Sequence, residues 1–164
     1  MATDKLEQLK QLIFLVTELS GTLNLWGDAF SADLGLTSAK WQVLSALDGK
    51  RKTSPQIAAT FGITRQAVQL QLNQLLKEGL IETFDNPHHK RSMLYGLTAK
   101  GQTAYDELYC RWRQQAKMWL DLFDSQALGH AHSALNTLLQ QVKNKDKNDP
   151  NYPTTTATPQ YPPF

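Results

Sequence analysis

The sequence predicts a mainly α fold with one small β-hairpin, in which long N- and C-terminal helices flank a compact central module. Three observations lead there. Apolar residues recur at helical spacing over long stretches at both ends of the chain, and two short strand-like runs flank a Pro-containing polar loop in between. The middle third is also basic: Lys50 to Gly101 holds 8 Lys/Arg against 3 Asp/Glu (+5), while the remainder holds 9 against 12 (−3). At 164 residues and 41% hydrophobic content, the chain suits one ordinary domain or two small lobes.

Residues 4 to 32 are expected to form one long helix. Leu6, Leu9, Ile13, Val16, Leu23 and Phe30 fall near heptad spacing, while Leu12, Leu19 and Trp26 make a second stripe. Two apolar stripes need two partners. "LTSAKWQVLSALDGK" starts a second helix at the Thr37/Ser38 cap and ends it near Gly49. "TSPQIAATFG" is a short third, with Ser54 as its cap and Pro55 at its first position.

The next stretch, "TRQAVQLQLNQLLKEGL" (Thr64 to Leu80), is ambiguous, because its middle alternates apolar and polar residues like a half-buried strand. Composition favours a helix: Gln, Leu, Ala and Lys are good helix formers, and Val68 is the only β-branched residue after Thr64. Thr64 can cap the start, and Gly79 followed by Leu80 can terminate it. Val68, Leu72 and Leu75 then share one face, which leaves Arg65, Gln66, Gln69 and Asn73 together on another. Leu70 is the apolar misfit among them.

"LIETF" and "SMLYGL" are the strand-like runs, and the "DNPHHKR" between them makes a hairpin with a long basic tip. Thr98 caps a helix reaching Asp124, with Tyr105, Leu108, Tyr109, Trp112, Trp119 and Phe123 at helical spacing. A last helix from Ser125 to Val142 carries Leu128, Leu135, Leu138 and Leu139. From Lys143 the chain is charged, then Pro/Thr-rich, and lacks the apolar spacing to bury anything against itself. The expected organisation is an N-terminal dimerisation helix (1–36), a central module (37–100), C-terminal dimerisation helices (101–142) and a disordered or extended tail (143–164). Dimerisation enters because the outer helices need more cover than one chain offers.

A short helix, a turn, a second helix with a polar N-terminal face and a hairpin with a basic tip describe a winged helix-turn-helix. In that arrangement the second helix enters the major groove of duplex DNA and the hairpin reaches toward the adjacent minor groove. Gln and Asn can bond an adenine edge, and Arg can bond phosphate or guanine. The candidate DNA-binding residues are Ser54, Thr64, Arg65, Gln66, Gln69, Leu70, Asn73, His89, Lys90 and Arg91. Leu70 either packs on thymine methyl groups or makes a contact inside the protein, against the turn before the wing.

"LGLTSAKWQVLSAL", "SPQIAATFGITRQAVQLQLNQLLKEGLI" and "NPHHKRSMLYGLTAKG" resemble the second helix, the helix-turn-helix and the wing of the multiple antibiotic resistance regulator (MarR) family, in unbroken order from about Leu34 to Gly101. The resemblance implies a dimeric bacterial transcription regulator, usually a repressor, on a pseudo-palindromic double-stranded DNA operator. It also implies release by a small aromatic or phenolic effector or by thiol oxidation. Trp26, Phe30 and Trp41 are the candidate effector-binding residues, since they fall near the junction where the family's effector pocket is found. Two positions depart from the family pattern. His89 stands two residues before Arg91 where most members carry a bracing Asp, and Leu70 stands where the family tends to place Arg.

The remaining features point to no further chemistry. The family's redox cysteines tend to lie near the N-terminus, so Cys110 reads as structural or merely exposed. His88-His89 and His130-His132 lack paired Cys or carboxylates at ligand spacing, so no metal or cofactor is expected. No Gly-rich phosphate loop or catalytic constellation supports an enzyme. One Cys, no basic-plus-apolar leader and no long apolar run point to a cytoplasmic protein without a membrane partner. The competing function is a winged-helix module that binds protein, marked by an apolar, weakly charged recognition face.

Overall fold

The computed structural model describes residues 2–89 and 91–146. Helix α1 (Ala2–Ser31) passes through a single 3-10 turn, Ala32–Leu34, and stops at Gly35, whose φ of 68° is left-handed. Helices α2 (Ser38–Leu47), α3 (Ser54–Phe61) and α4 (Arg65–Lys77) follow, then strands β1 (Ile81–Phe84) and β2 (Leu94–Leu97), and helices α5 (Ala99–Leu120) and α6 (Ser125–Asp146). The strands pair antiparallel, with Ile81 opposite Leu97 and Phe84 opposite Leu94. The fold class is the one read from the sequence: helices throughout and one small hairpin.

Helix α1 begins two residues before and ends one residue before the expected 4 to 32, and three further boundaries differ from the sequence reading for a local reason. The cap of α3 is Thr53, not Ser54: the Thr53 hydroxyl accepts from Gln56 N at 3.4 Å while Gln56 Oε1 accepts from Thr53 N at 2.8 Å. This reciprocal pair satisfies two otherwise orphaned donors, which a cap one residue later could not do with Gln56. Helix α5 ends at Leu120 because Asp124 caps the following helix instead, accepting from Ala127 N at 2.6 Å. Helix α6 runs four residues past the expected stop at Val142, so Lys143 to Asp146 are helix rather than tail. Most of the expected tail, 147–164, lies outside the described residues.

The core sits in the central module. Leu44, Leu47, Ile57, Leu72, Leu75 and Leu108 are fully buried, joining α2, α3, α4 and the first half of α5. Val68, Leu72 and Leu75, the face that decided for helix over strand, each have 0% exposure. Lys40 on α2 is buried too, and its ammonium meets Glu78, the C-cap of α4, at 2.6 Å. That pair ties α2 to the end of α4.

Helix α1 is joined tightly to this module. Ser38 N donates to Asp28 Oδ1 at 2.7 Å, so a carboxylate from α1 meets the N-terminus of α2, where the helix dipole favours it. Gly27 packs so close to Ser38 that a Cβ at 27 would lie 2.9 Å from Ser38 Cβ. Arg111 of α5 adds a clasp, bonding Asp33 at 2.7 Å and Glu107 at 2.5 Å. The guanidinium holds the Asp33 carboxyl below its ordinary range.

Along the rest of α1 the apolar residues other than the half-buried Leu12 have little cover. Leu6, Leu9, Ile13, Val16, Leu19 and Leu23 are all exposed, as are Leu128, Leu135 and Val142 on α6. Neither apolar stripe of α1 is closed over by its own chain.

Helix α5 begins against the backbone that leads into the hairpin. Thr98 N donates to Leu80 O at 3.1 Å, and the Thr98 hydroxyl to Gly79 O at 2.8 Å. At Gly101 the approach is closest, since an added Cβ would fall 1.8 Å from the Leu80 carbonyl oxygen. A backbone oxygen fixed in a hydrogen bond cannot move aside as a side-chain tip would. Gly101→Ala should therefore destabilise the fold by about 1 to 3 kcal/mol, the range for overpacked sites, read as a lowered thermal midpoint. An unchanged midpoint would contradict this packing.

Candidate nucleic-acid interface

The turn between α3 and α4 is set by Gly62, whose φ of 65° is left-handed and whose N–H bonds Ala58 O. Thr64 then caps α4, accepting from Ala67 N at 3.1 Å. This geometry starts α4 with Arg65 and Gln66 exposed at its first turn, and brings Gln69 and Asn73 round beside them one and two turns on. Leu70 is 56% exposed, so it lies on the surface of α4 beside the polar residues rather than in the core.

Gln69 is not a free side chain. Its Nε2 donates to Asn73 Oδ1 at 3.0 Å and lies 3.5 Å from the Tyr95 hydroxyl on β2. Tyr95 is buried and exchanges two backbone hydrogen bonds with Lys52, 3.1 Å and 2.9 Å. The segment before α3 thus adds a short third edge to the hairpin, a feature the sequence reading missed. Lys52 is half-buried there, and burial, with Lys50 nearby, lowers its ammonium below the ordinary lysine range. Its neighbour Arg51 lies over the Phe84 ring at 3.4 Å from the centroid, a cation–π contact that draws a further cation to the wing.

The wing tip is organised by Asn86. Its Oδ1 accepts from His88 N at 3.1 Å, and its Nδ2 donates to Ser92 O at 2.9 Å. His89 N bonds Asn86 O at 3.2 Å and Ser92 N bonds His89 O at 2.9 Å, which closes the loop on itself. His88, His89 and Arg91 are exposed, and Lys90 lies outside the described residues. An amide therefore shapes the loop that carries Arg91.

Between the wing and α4 runs a cleft of about 420 Å³. Ser54, Arg65, Gln66, Gln69 and Arg91 line it together with Tyr95. Five sequence-predicted residues thus converge there, while Thr64 serves as a cap and Leu70, Asn73 and His89 are not part of the lining. Tyr95, Lys52, Arg51 and Asn86 were not singled out from the sequence. Only the Lys50-Arg51-Lys52 charge run was a signal for any of them.

The candidate effector residues do meet. Trp26 and Phe30 stack with centroids 4.6 Å apart, Phe30 and Trp41 at 5.8 Å, and Trp26 reaches Trp41 at 6.4 Å. Trp119 of α5 joins them at 5.2 Å from Trp26, although its spacing placed it only in the stripe of α5. All four rings are half-buried at the junction of α1, α2 and α5. Nearer the start of α5, burial pushes the Tyr105 phenol up to about 12, helped by Asp48, so it stays a neutral hydrogen-bonding group. Cys110 is exposed. Among the described residues no three His, Cys, Asp or Glu side chains group to hold a metal, and no helix is long and apolar enough to cross a membrane.

A helix-turn-helix whose second helix shares a cleft with a basic hairpin defines a winged helix-turn-helix protein. Residues 34–92 match the family model described as MarR family. Proteins of Mycobacterium bovis and Mycobacterium tuberculosis, both carrying the name "uncharacterized protein", are 33% identical to this chain over 137 residues, 84% of this chain and 96% of theirs. Among solved structures, the MarR family transcription regulator SP03579 superposes with a TM-score of 0.74 at 24% identity, covering 90% of this chain and 98% of that one. The S. aureus MepR–DNA complex gives 0.69 at 18% identity, over 79% and 96% of the two chains. A mutant MarR from E. coli complexed with operator DNA gives 0.65 at 19%, over 82% and 95%. The chain belongs to the MarR family and is a winged-helix regulator.

Proposed function

We propose that the chain acts as a homodimer on a pseudo-palindromic double-stranded DNA operator, as a non-enzymatic, cytoplasmic transcription regulator that represses by occupying the promoter. The observation that carries this reading is the cleft where Arg65, Gln66 and Gln69 of α4 face Arg91 of the wing, within a segment of charge +5. Backbone cations give affinity and the amides give base preference. The operator DNA in the MarR complex and the DNA in the MepR complex support the same ligand, and the uncovered stripes of α1 and α6 support the dimer. The four-ring cluster around Trp26 is the proposed site for a small aromatic or phenolic effector, since it sits where the dimerisation helices meet the module.

Selection of duplexes from a randomised pool tests the reading. An enriched inverted repeat, with half-site centres about one helical turn or roughly 10 base pairs apart, is the expected product. A pool that stays random would overturn it. The second reading, a winged-helix module for a protein partner, is favoured by the exposure of Leu70 alone.

A further inference from the structure

Gln69 and Asn73 have been treated so far as two amides on one face, each free to turn its carbonyl or its N–H outward. Their hydrogen bonds remove that freedom. A primary amide offers two N–H donors and one carbonyl acceptor. The Gln69 Nε2 group directs its donors to Asn73 Oδ1 at 3.0 Å and to the Tyr95 hydroxyl at 3.5 Å. What remains for a ligand is Gln69 Oε1, an acceptor, and the Asn73 Nδ2 group, a donor. Tyr95 is a fixed post for this arrangement, being 8% exposed and clamped by two backbone bonds to Lys52.

Resting on the DNA-binding reading above, we propose that Tyr95 is a positioning residue for base recognition: it fixes Gln69 with its carbonyl outward, so that Gln69 reads a base bearing an exocyclic amino group. In the major groove adenine N6 and cytosine N4 are donors, whereas guanine O6 and thymine O4 are acceptors. A locked acceptor therefore takes adenine or cytosine and rejects guanine or thymine. It separates adenine from cytosine poorly, because a bidentate bond to adenine needs an Nε2 proton that the relay already holds. The wing strand β2 thus acts on sequence preference through α4, without Tyr95 touching DNA.

The test is competition binding with the selected operator, in which each half-site position is replaced by all four bases. Gln69→Ala identifies the position that Gln69 reads, as the one whose preference flattens. At that position the wild type should favour adenine and cytosine over guanine and thymine by about tenfold or more, within the range of single base contacts. Tyr95→Phe keeps the ring and deletes the hydroxyl, and should cut that ratio at least about threefold. Tyr95→Phe should add nothing in the Gln69→Ala background. A merely structural role for Tyr95 would weaken binding in that background as well. Should Tyr95→Phe fold poorly, Asn73→Leu at an exposed site releases the other Nε2 proton and should relax the same position. The proposal is overturned if Tyr95→Phe or Asn73→Leu keeps the wild-type profile there, or if the wild type prefers guanine or thymine. A wild type that binds no duplex selectively overturns the DNA-binding reading along with it.

Discussion

Raising monovalent salt from 50 to 200 mM should weaken duplex binding by about three to five decades, if about six to ten phosphates are neutralised per dimer. The expectation comes from where the cations are. Lys50, Arg51, Lys52, Arg65, Lys90 and Arg91 all belong to the +5 segment, and two of them are drawn to the wing by specific contacts. Arg51 is held over Phe84, and Lys52 bridges to Tyr95. Each cation placed on a phosphate releases a condensed counterion, so the effect is read as the slope of affinity against salt. Arg91→Ala should reduce that slope by about one per protomer and weaken all sequences alike. A flat salt response would favour a protein partner for the face that carries Leu70.

Ile13→Asp should convert the protein from a dimer to a monomer of 18.5 kDa. Ile13 is 45% exposed in the single chain and sits mid-way along the uncovered stripe of α1. In the proposed dimer the stripe is buried, and a carboxylate without a partner there costs several kcal/mol. In the single chain the same carboxylate stays in water, so the central module, whose core lies around Leu44, Ile57 and Leu72, should remain folded. Sedimentation at micromolar concentration distinguishes the cases: about twice the chain mass for wild type, one chain for the variant. A wild type that sediments as a single chain would remove the dimer from the account. The monomer should also lose operator affinity, because the second half-site is then bound from solution rather than from the same assembly.

The path of the chain was legible wherever a pattern was local. The caps at Thr37, Thr64 and Thr98, the face of Val68, Leu72 and Leu75, and the hairpin flanking "DNPHHKR" all follow from spacing within about a dozen residues. Ser54 was misplaced as a cap because two hydroxyls stand side by side, and only the return bond from Gln56 chooses Thr53. What escaped the sequence is what depends on distant residues meeting. Lys52 pairs with Tyr95 across α3 and α4, and Trp119 reaches back to Trp26. Gly101 is silent in sequence, yet its missing Cβ admits the Leu80 carbonyl. The candidate site was legible as a set of residue types on one helix face, but not as a relay, since the Tyr95 hydroxyl that constrains Gln69 comes from a strand 26 positions away.

The proposed dimer would hold two copies of α4 one helical turn apart on DNA, with each α1 fixed to its own module at joints such as Gly27 against Ser38. Hydroxyl-radical footprinting of the protein on a selected duplex measures that arrangement directly. The account predicts two equivalent protected patches, related by a two-fold axis, about 10 base pairs apart on one face of the DNA, with weaker flanking protection where the wings reach the minor grooves. A single asymmetric patch, or uniform protection independent of sequence, would contradict it.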